Sequence, residues 1–141
     1  MAAAGARLLA GGGGVAYLAT VRKDGGPRVH PLMPVLAPAG LYVFVVNMGW
    51  KYRDLLRDGR YALHTSPPTE GGEEFYVTGA ATESSDGEER ASVREASGGR
   101  LGGHDFEALF RLDVDRALWT AWENWGTAET WPRFEKYAAR G

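Results

Sequence analysis

The sequence predicts a mainly β domain, an antiparallel barrel with a few short helices, and three observations carry that expectation. Short runs rich in β-branched and aromatic residues recur along the chain, separated by Gly, Pro and Asp turn signals. One short helical pattern falls between the third and fourth of these runs, so the strands follow one another in a succession suited to antiparallel pairing. No internal repeat and no long linker divides the 141 residues, which are read as one domain, 1–141.

Residues Ala2 to Ala10 can form one or two helical turns, and the glycines Gly11 to Gly14 end them, because each costs about 1 kcal/mol relative to alanine in a helix. VAYLATVRK, the turn residues Asp24, Gly25 and Gly26, and then RVHPLMPVL read as a hairpin. Pro31 and Pro34 lack N–H donors and mark that second strand as an edge or a bulge. After a turn at Pro38–Gly40, LYVFVVN is the strongest strand pattern in the chain and is expected to be buried. WKYRDLLRDG places Tyr52, Leu55 and Leu56 at helical spacing, with Gly59 at the position of a left-handed C-cap. RYALHTS returns to strand, Pro67 to Gly72 is a loop, and EFYVTGAATE is a further strand. DGEERASVREAS reads as a charged, solvated helix with an intrahelical pair such as Asp86 with Arg90. FEALFRLDVDRALWTAWEN reads as one bent strand or two successive ones, and TWPRFEKYAAR as a short terminal helix.

Composition narrows the chemistry. A net charge of −2 and a pI near 5.9 give no general basic surface, which argues against non-specific binding of nucleic acid or of an anionic membrane. The absence of cysteine excludes disulfides, zinc–thiolate sites and cysteine nucleophiles together. His64 and His104 have no second histidine at metal-ligand spacing, so no metal site is expected, and no G-x-S-x-G elbow occurs. No run approaches the roughly 20 apolar residues of a membrane span, and MAAAGARLLAGGGG lacks the charged and hydrophobic regions of a secretory signal; the expected location is cytoplasmic. A domain this small gains from hiding apolar surface against a second copy.

The most informative stretch is Asn47 to Leu55, where a strand ends and a helix opens with Lys51 and Arg53 in its first turn. Cations there oppose the helix dipole by about 0.3–1 kcal/mol each. Two arrangements relieve that: an anion such as phosphate held between the side chains and the helix N–H groups, or pairing of Lys51 or Arg53 with Asp54 or Asp58. Arg28 and His30, two apart on the preceding strand, share one face and can reach the same place.

Taken jointly and in order, ATVRKDGGPRVHPLMPV, LYVFVVNMGWKYRDLLRDGRYALHT and FYVTGAATE resemble the pyridoxamine-phosphate-oxidase-like family over roughly residues 15 to 83. The resemblance implies a six-stranded antiparallel split β-barrel, a homodimer, and flavin mononucleotide (FMN) in a groove at the dimer interface. By that analogy Lys51 and Arg28 hold the phosphate, with Arg53 an added candidate. Residues Val29, His30, Pro31 and Leu32 and residues Val46, Asn47 and Met48 line the ring and ribityl chain, largely through backbone groups. Gly49 and Trp50 stand where the family often has hydroxyl or basic residues just before the lysine, which implies either a thinner grip on the phosphate than the family's usual one or a Trp50 that covers the cofactor instead. Trp125 and Trp131 are the C-terminal aromatics that could cross to a partner's flavin, against a plain core or interface role. The implied activity is an FMN-dependent oxidoreductase acting on a small molecule, with no catalytic residue assigned. A deazaflavin coenzyme, or non-catalytic binding of flavin or haem, are the alternatives the same fold permits.

Overall fold

The computed structural model describes residue 5 and residues 7–9, 14–65 and 72–139. The glycine run at 11–13 and residues 67–71 of the expected loop lie outside these. The elements run β1 (Ala16–Val21), β2 (Pro27–Leu32), β3 (Val35–Ala37), β4 (Gly40–Val46), α1 (Trp50–Arg57), β5 (Arg60–Thr65), β6 (Glu73–Ser84), α2 (Gly87–Ala96), β7 (Glu107–Glu123) and β8 (Trp131–Ala138). Arg7–Leu9 are helical as well.

All eight strands join one antiparallel sheet in the order β2-β1-β5-β6-β7-β4-β3, with β8 added on β7. The ends of that path, β2 and β3, do not pair, so the sheet is not closed by hydrogen bonds among the described residues. The long β7 organises it. β6 runs along one edge of β7, while the other edge is shared in succession by β4, opposite Glu107–Leu112, and β8, opposite Arg116–Glu123.

Seven of the eight strands fall on the six expected strand runs, and two departures are instructive. RVHPLMPVL is cut in two because β2 ends at Leu32 and β3 restarts at Val35 beyond Met33 and Pro34. The terminal helix expected over TWPRFEKYAAR is instead β8, and the reason is visible in its pattern. Trp131, Phe134 and Tyr137 recur at a spacing of three, which imitates a helical face, whereas the exposed C-terminal half of β7 offers a free ladder that an edge strand starting next to Pro132 can fill.

Two further expectations change. Helix α1 ends at Arg57 with Asp58 in extended conformation, and Gly59 has no positive φ. Glycine is needed there because a Cβ would come within 2.7 Å of the Ala81 carbonyl oxygen. In α2, Asp86 does not pair with Arg90 but caps the helix, accepting from the N–H groups of Glu88 and Glu89. Arg90 turns inward and donates to the carbonyls of Gly102, His104 and Glu107, with its guanidinium 5.2 Å from the Phe44 ring. The helix is therefore docked rather than solvated: Val93 packs with Val35, Ala37, Tyr42 and Leu109 beneath it.

The main core lies on the opposite side of β4 and β7. Leu18, Val43, Val45, Leu63, Val77 and Phe110 fill it, and Leu55 of α1 closes it at one end. Because β4 buries Val43 and Val45 on one face and Tyr42 on the other, LYVFVVN reads as continuously apolar. Among the described residues no helix is long and apolar enough to cross a membrane.

Candidate functional site

The β1–β2 hairpin forms as its turn residues dictate, with Arg22 N–H donating to the Gly26 carbonyl at 2.8 Å and Gly25 at φ 87°. Strand β2 then alternates: Arg28, His30 and Leu32 are half-buried, while Val29 and Pro31 point to the opposite, exposed face. Arg28 and His30 thus face α1, as their spacing requires. Val29 and Pro31 do not bring their side chains to this corner. Leu32 packs against the core.

Helix α1 enters from Gly49, which has no side-chain cap, and no acidic residue occupies its first turn. Lys51 is half-buried there, and no hydrogen bond or ion pair to it occurs among the described residues. Burial pushes its ammonium below the usual lysine range, and no carboxylate among the described residues opposes the shift. Beside it, His30 is held below the ordinary histidine value by burial first and then by the charges of Lys51 and Arg28, only partly countered by Asp54. The imidazole is therefore neutral at pH 7, and its Nε2 is buried without a hydrogen-bond partner.

The expected pairing of α1 cations with Asp54 or Asp58 takes a different form. Asp54, 2 % exposed, accepts from Arg28 Nε at 2.7 Å, from the Thr20 hydroxyl at 2.8 Å and from Arg57 Nη2 at 3.0 Å. Burial alone would raise its carboxyl, but these three donors outweigh burial and hold it below the usual carboxylate range. Asp58 is taken by Arg60, whose hydrogen bonds hold its carboxyl at about 2. Lys51 and Arg53 are left without carboxylate partners among the described residues, whereas Arg28 is anchored through Nε with the rest of its fork directed elsewhere.

Trp50, 63 % exposed, serves as a platform: the Arg53 and Arg28 guanidinium carbons lie 5.0 and 5.9 Å from its ring centroid. Val46, Asn47 and Met48, which lead into α1, are exposed, Met48 at 69 %. Sequence reasoning missed Thr20 and Arg57 and treated Asp54 only as a surface partner. The available signal was positional, since Asp54 directly precedes the buried Leu55 and lies four residues after Trp50, on the face of α1 that turns toward β1 and β2.

Trp125 and Trp131 are not brought to this corner within one chain. In sheet order, β8 is separated from β2 by β1, β5, β6 and β7. Trp125 packs on Trp122 with ring centroids 5.9 Å apart, and Trp131 is 69 % exposed at the start of β8. On the face of the sheet away from the core, Tyr17, His64, Tyr76 and Leu118 form one transverse row. There His64 Nδ1 lies 2.6 Å from the Thr65 carbonyl oxygen, so it carries the proton and leaves the Nε2 lone pair free.

The residues at the Lys51 corner fit a phosphorylated cofactor. An uncompensated, half-buried ammonium, a guanidinium held in place from behind, an orphaned imidazole nitrogen and a helix N-terminus without acidic residues are the complement of a phosphate monoester.

No family model matches the chain, and no curated protein matches it. Solved structures do. A haem-binding protein from Mycobacterium smegmatis superposes with a TM-score of 0.72 at 22% identity over 98% of this chain, which spans only 58% of that protein's length. A NimC/NimA family protein from Clostridium acetobutylicum gives a TM-score of 0.63 at 22% identity, covering 85% of this chain and 84% of the other. PhzG from Burkholderia lata 383, solved with tetrahydrophenazine-1-carboxylic acid, gives 0.67 at 16% identity over 91% and 77%. At these identities the likeness is one of fold, and it places this chain's antiparallel architecture with that of these haem-binding, PhzG and NimC/NimA-type proteins.

Proposed function

We propose that this chain is an FMN-dependent oxidoreductase of the pyridoxamine-phosphate-oxidase-like split-barrel type, acting on a small molecule. The single observation that carries the reading is Lys51, an ammonium half-buried at a helix entrance with no carboxylate partner among the described residues. A buried, unpaired cation is costly unless a ligand compensates it. FMN, when bound, supplies the hydride and electron chemistry. The chain's own residues then have separate tasks. Lys51 neutralises phosphate charge, Arg28 offers the part of its fork that Asp54 leaves free, and His30 supplies a polar edge through the nitrogen that lacks a partner. Residues 46–48 supply backbone along the approach to α1.

A homodimer belongs to the same proposal. The exposed Trp125, Trp131, Phe134 and Tyr137 and the outward Tyr17 and Tyr76 give a second copy an aromatic surface to cover, and only a second copy could bring Trp125 or Trp131 near the corner.

Lys51→Ala is expected to weaken FMN binding by about 1–2 kcal/mol, roughly 5- to 30-fold, as on losing a charge-assisted contact. Fluorescence titration of FMN checks it, and an unchanged affinity would remove Lys51 from the site. The low-lying His30 titration adds a second expectation. A phosphate dianion next to the imidazole raises its proton affinity, so FMN binding favours proton uptake at His30, and this contribution to affinity grows as pH falls toward the lowered range in which the unliganded imidazole titrates. His30→Gln should flatten that dependence.

Haem binding is the second reading, supported by the fold shared with the Mycobacterium smegmatis haem-binding protein and by the free Nε2 of His64 on the outer sheet face. The absorption spectrum of the purified protein separates the two: a flavin band supports the first, a Soret band the second.

A further inference from the structure

Next to the Lys51 corner, α1 and the β1–β2 turn enclose an open groove of about 610 Å³ whose walls carry far more positive charge than one phosphate requires. Arg22 and Lys23 reach it from the turn, Arg28 from β2, and Arg53 and Arg57 from α1, with Trp50 between them. Only two carboxylates oppose these five cations. Asp54 lies at the floor, engaged by Arg28 and Arg57, and Asp24 meets Arg22 at 3.7 Å and the Gly26 N–H at 2.9 Å. Lys23 and Arg53 have no acidic partner among the described residues. On a chain of net charge −2, this concentration is local.

The cations are also held in place. Arg28 and Arg57 are each tied to Asp54 by one edge of the guanidinium, and Arg57 Nη2 additionally donates to the Val21 carbonyl at 2.8 Å. Arg53 is stacked against Trp50 at 5.0 Å. Guanidinium groups fixed from behind, with N–H groups still to donate, suit adjacent tetrahedral anions, because each fork can bind two oxygens without first losing side-chain freedom.

We propose that this groove is a second binding site, for a diphosphate ester such as the diphosphate of a nucleotide, adjoining the phosphate corner at Lys51 and sharing only Arg28 with the phosphate contacts proposed there. The proposal stands on Arg22, Lys23, Arg53 and Arg57 and does not require a flavin at the corner. A diphosphate presents two adjacent anions, one for the α1 guanidinium groups and one for the cations of the Arg22–Lys23 turn, whereas a single phosphate has charge for only one of these sets.

Calorimetric titration of the full chain with ADP, AMP and inorganic pyrophosphate tests it. ADP and pyrophosphate are expected to bind at least tenfold more tightly than AMP, with affinity falling steeply as salt rises. The double variant R22A/K23A, altered only at exposed turn side chains, should lose about tenfold for ADP while its FMN titration changes less than twofold; Arg53→Ala should lose ADP affinity as well. K51A should retain ADP binding, so a failed flavin reading and a failed groove reading give different results. Equal affinity for ADP and AMP, full ADP affinity in R22A/K23A, or parallel loss of ADP and FMN in R22A/K23A would each overturn the second site.

Discussion

Asp54→Ala is expected to lower the unfolding free energy by about 2–4 kcal/mol, measured by urea denaturation at pH 7. The carboxylate is 2 % exposed and receives three donors from three elements: Thr20 of β1, Arg28 of β2 and Arg57 of α1. Deleting it leaves the buried Thr20 hydroxyl without its acceptor and two guanidinium groups without their counter-charge. The Arg28 and Arg57 side chains keep 22% and 36% exposure, so water recovers part of the loss and the effect stays at the lower end for a broken buried pair. The sign with pH follows from the direction of the shift. The Asp54 carboxyl titrates below its ordinary value in the folded chain, so its contribution is full above the unfolded value of about 4 and is lost as pH falls through the depressed folded value. The gap between wild type and Asp54→Ala should therefore narrow at acid pH. A gap of constant size from pH 7 to pH 2 would show that the charge contributes nothing.

The same carboxylate links stability to binding. Strand spacing turns Arg28 toward the Lys51 corner and Asp54 fixes its Nε edge there, so the variant's cofactor affinity should fall with its stability, although Asp54 touches no ligand. Asp54→Asn, which keeps one acceptor, should be intermediate in both measurements.

How far the sequence could be read depended on the range of the forces involved. Local chemistry was legible: Asp24-Gly25-Gly26 turns the first hairpin, Leu55 points into the core, and Lys51 stands in the first turn of its helix, although whether a carboxylate would pair with it was left open by the sequence. Non-local pairing was not. That Asp54 collects donors from β1, β2 and α1 depends on three segments meeting, which no spacing within α1 encodes. Strand β8 failed for a related reason: Trp131, Phe134 and Tyr137 satisfy a helical period, and only the open edge of β7 decides for a strand. Gly59 shows the same limit at one residue. Its place after a helix suggested a cap, but the approach of the Ala81 carbonyl from another strand is what requires it.

Gly79→Ala is expected to destabilise the chain by roughly 3 kcal/mol or more, among the larger effects available to one methyl group. A Cβ built at Gly79 would lie 1.8 Å from the Asp113 carbonyl oxygen and 2.9 Å from its carbon, so the backbone of β7 itself must move. That backbone forms a bulge: Thr78 faces Arg116 while Gly79 faces Val114, leaving Asp115 as the extra residue. The bulge changes which β7 side chains point inward. Before it, Ala108, Phe110, Leu112 and Val114 meet the core, and after it Ala117 and Trp119 do, so the inward positions pass from even to odd numbers. Without that extra residue the second half of β7 would turn its core side chains to the outer face. The Asp113 carbonyl that the added methyl group would displace also accepts from the buried Tyr61 hydroxyl at 2.9 Å, so the substitution breaks that bond as it loosens the bulge. Thermal unfolding and amide exchange of Gly79→Ala check this together: a lowered midpoint with loss of protection concentrated in β6, β7 and β8 is expected. Wild-type stability and protection would mean that the strands can separate at this point without cost.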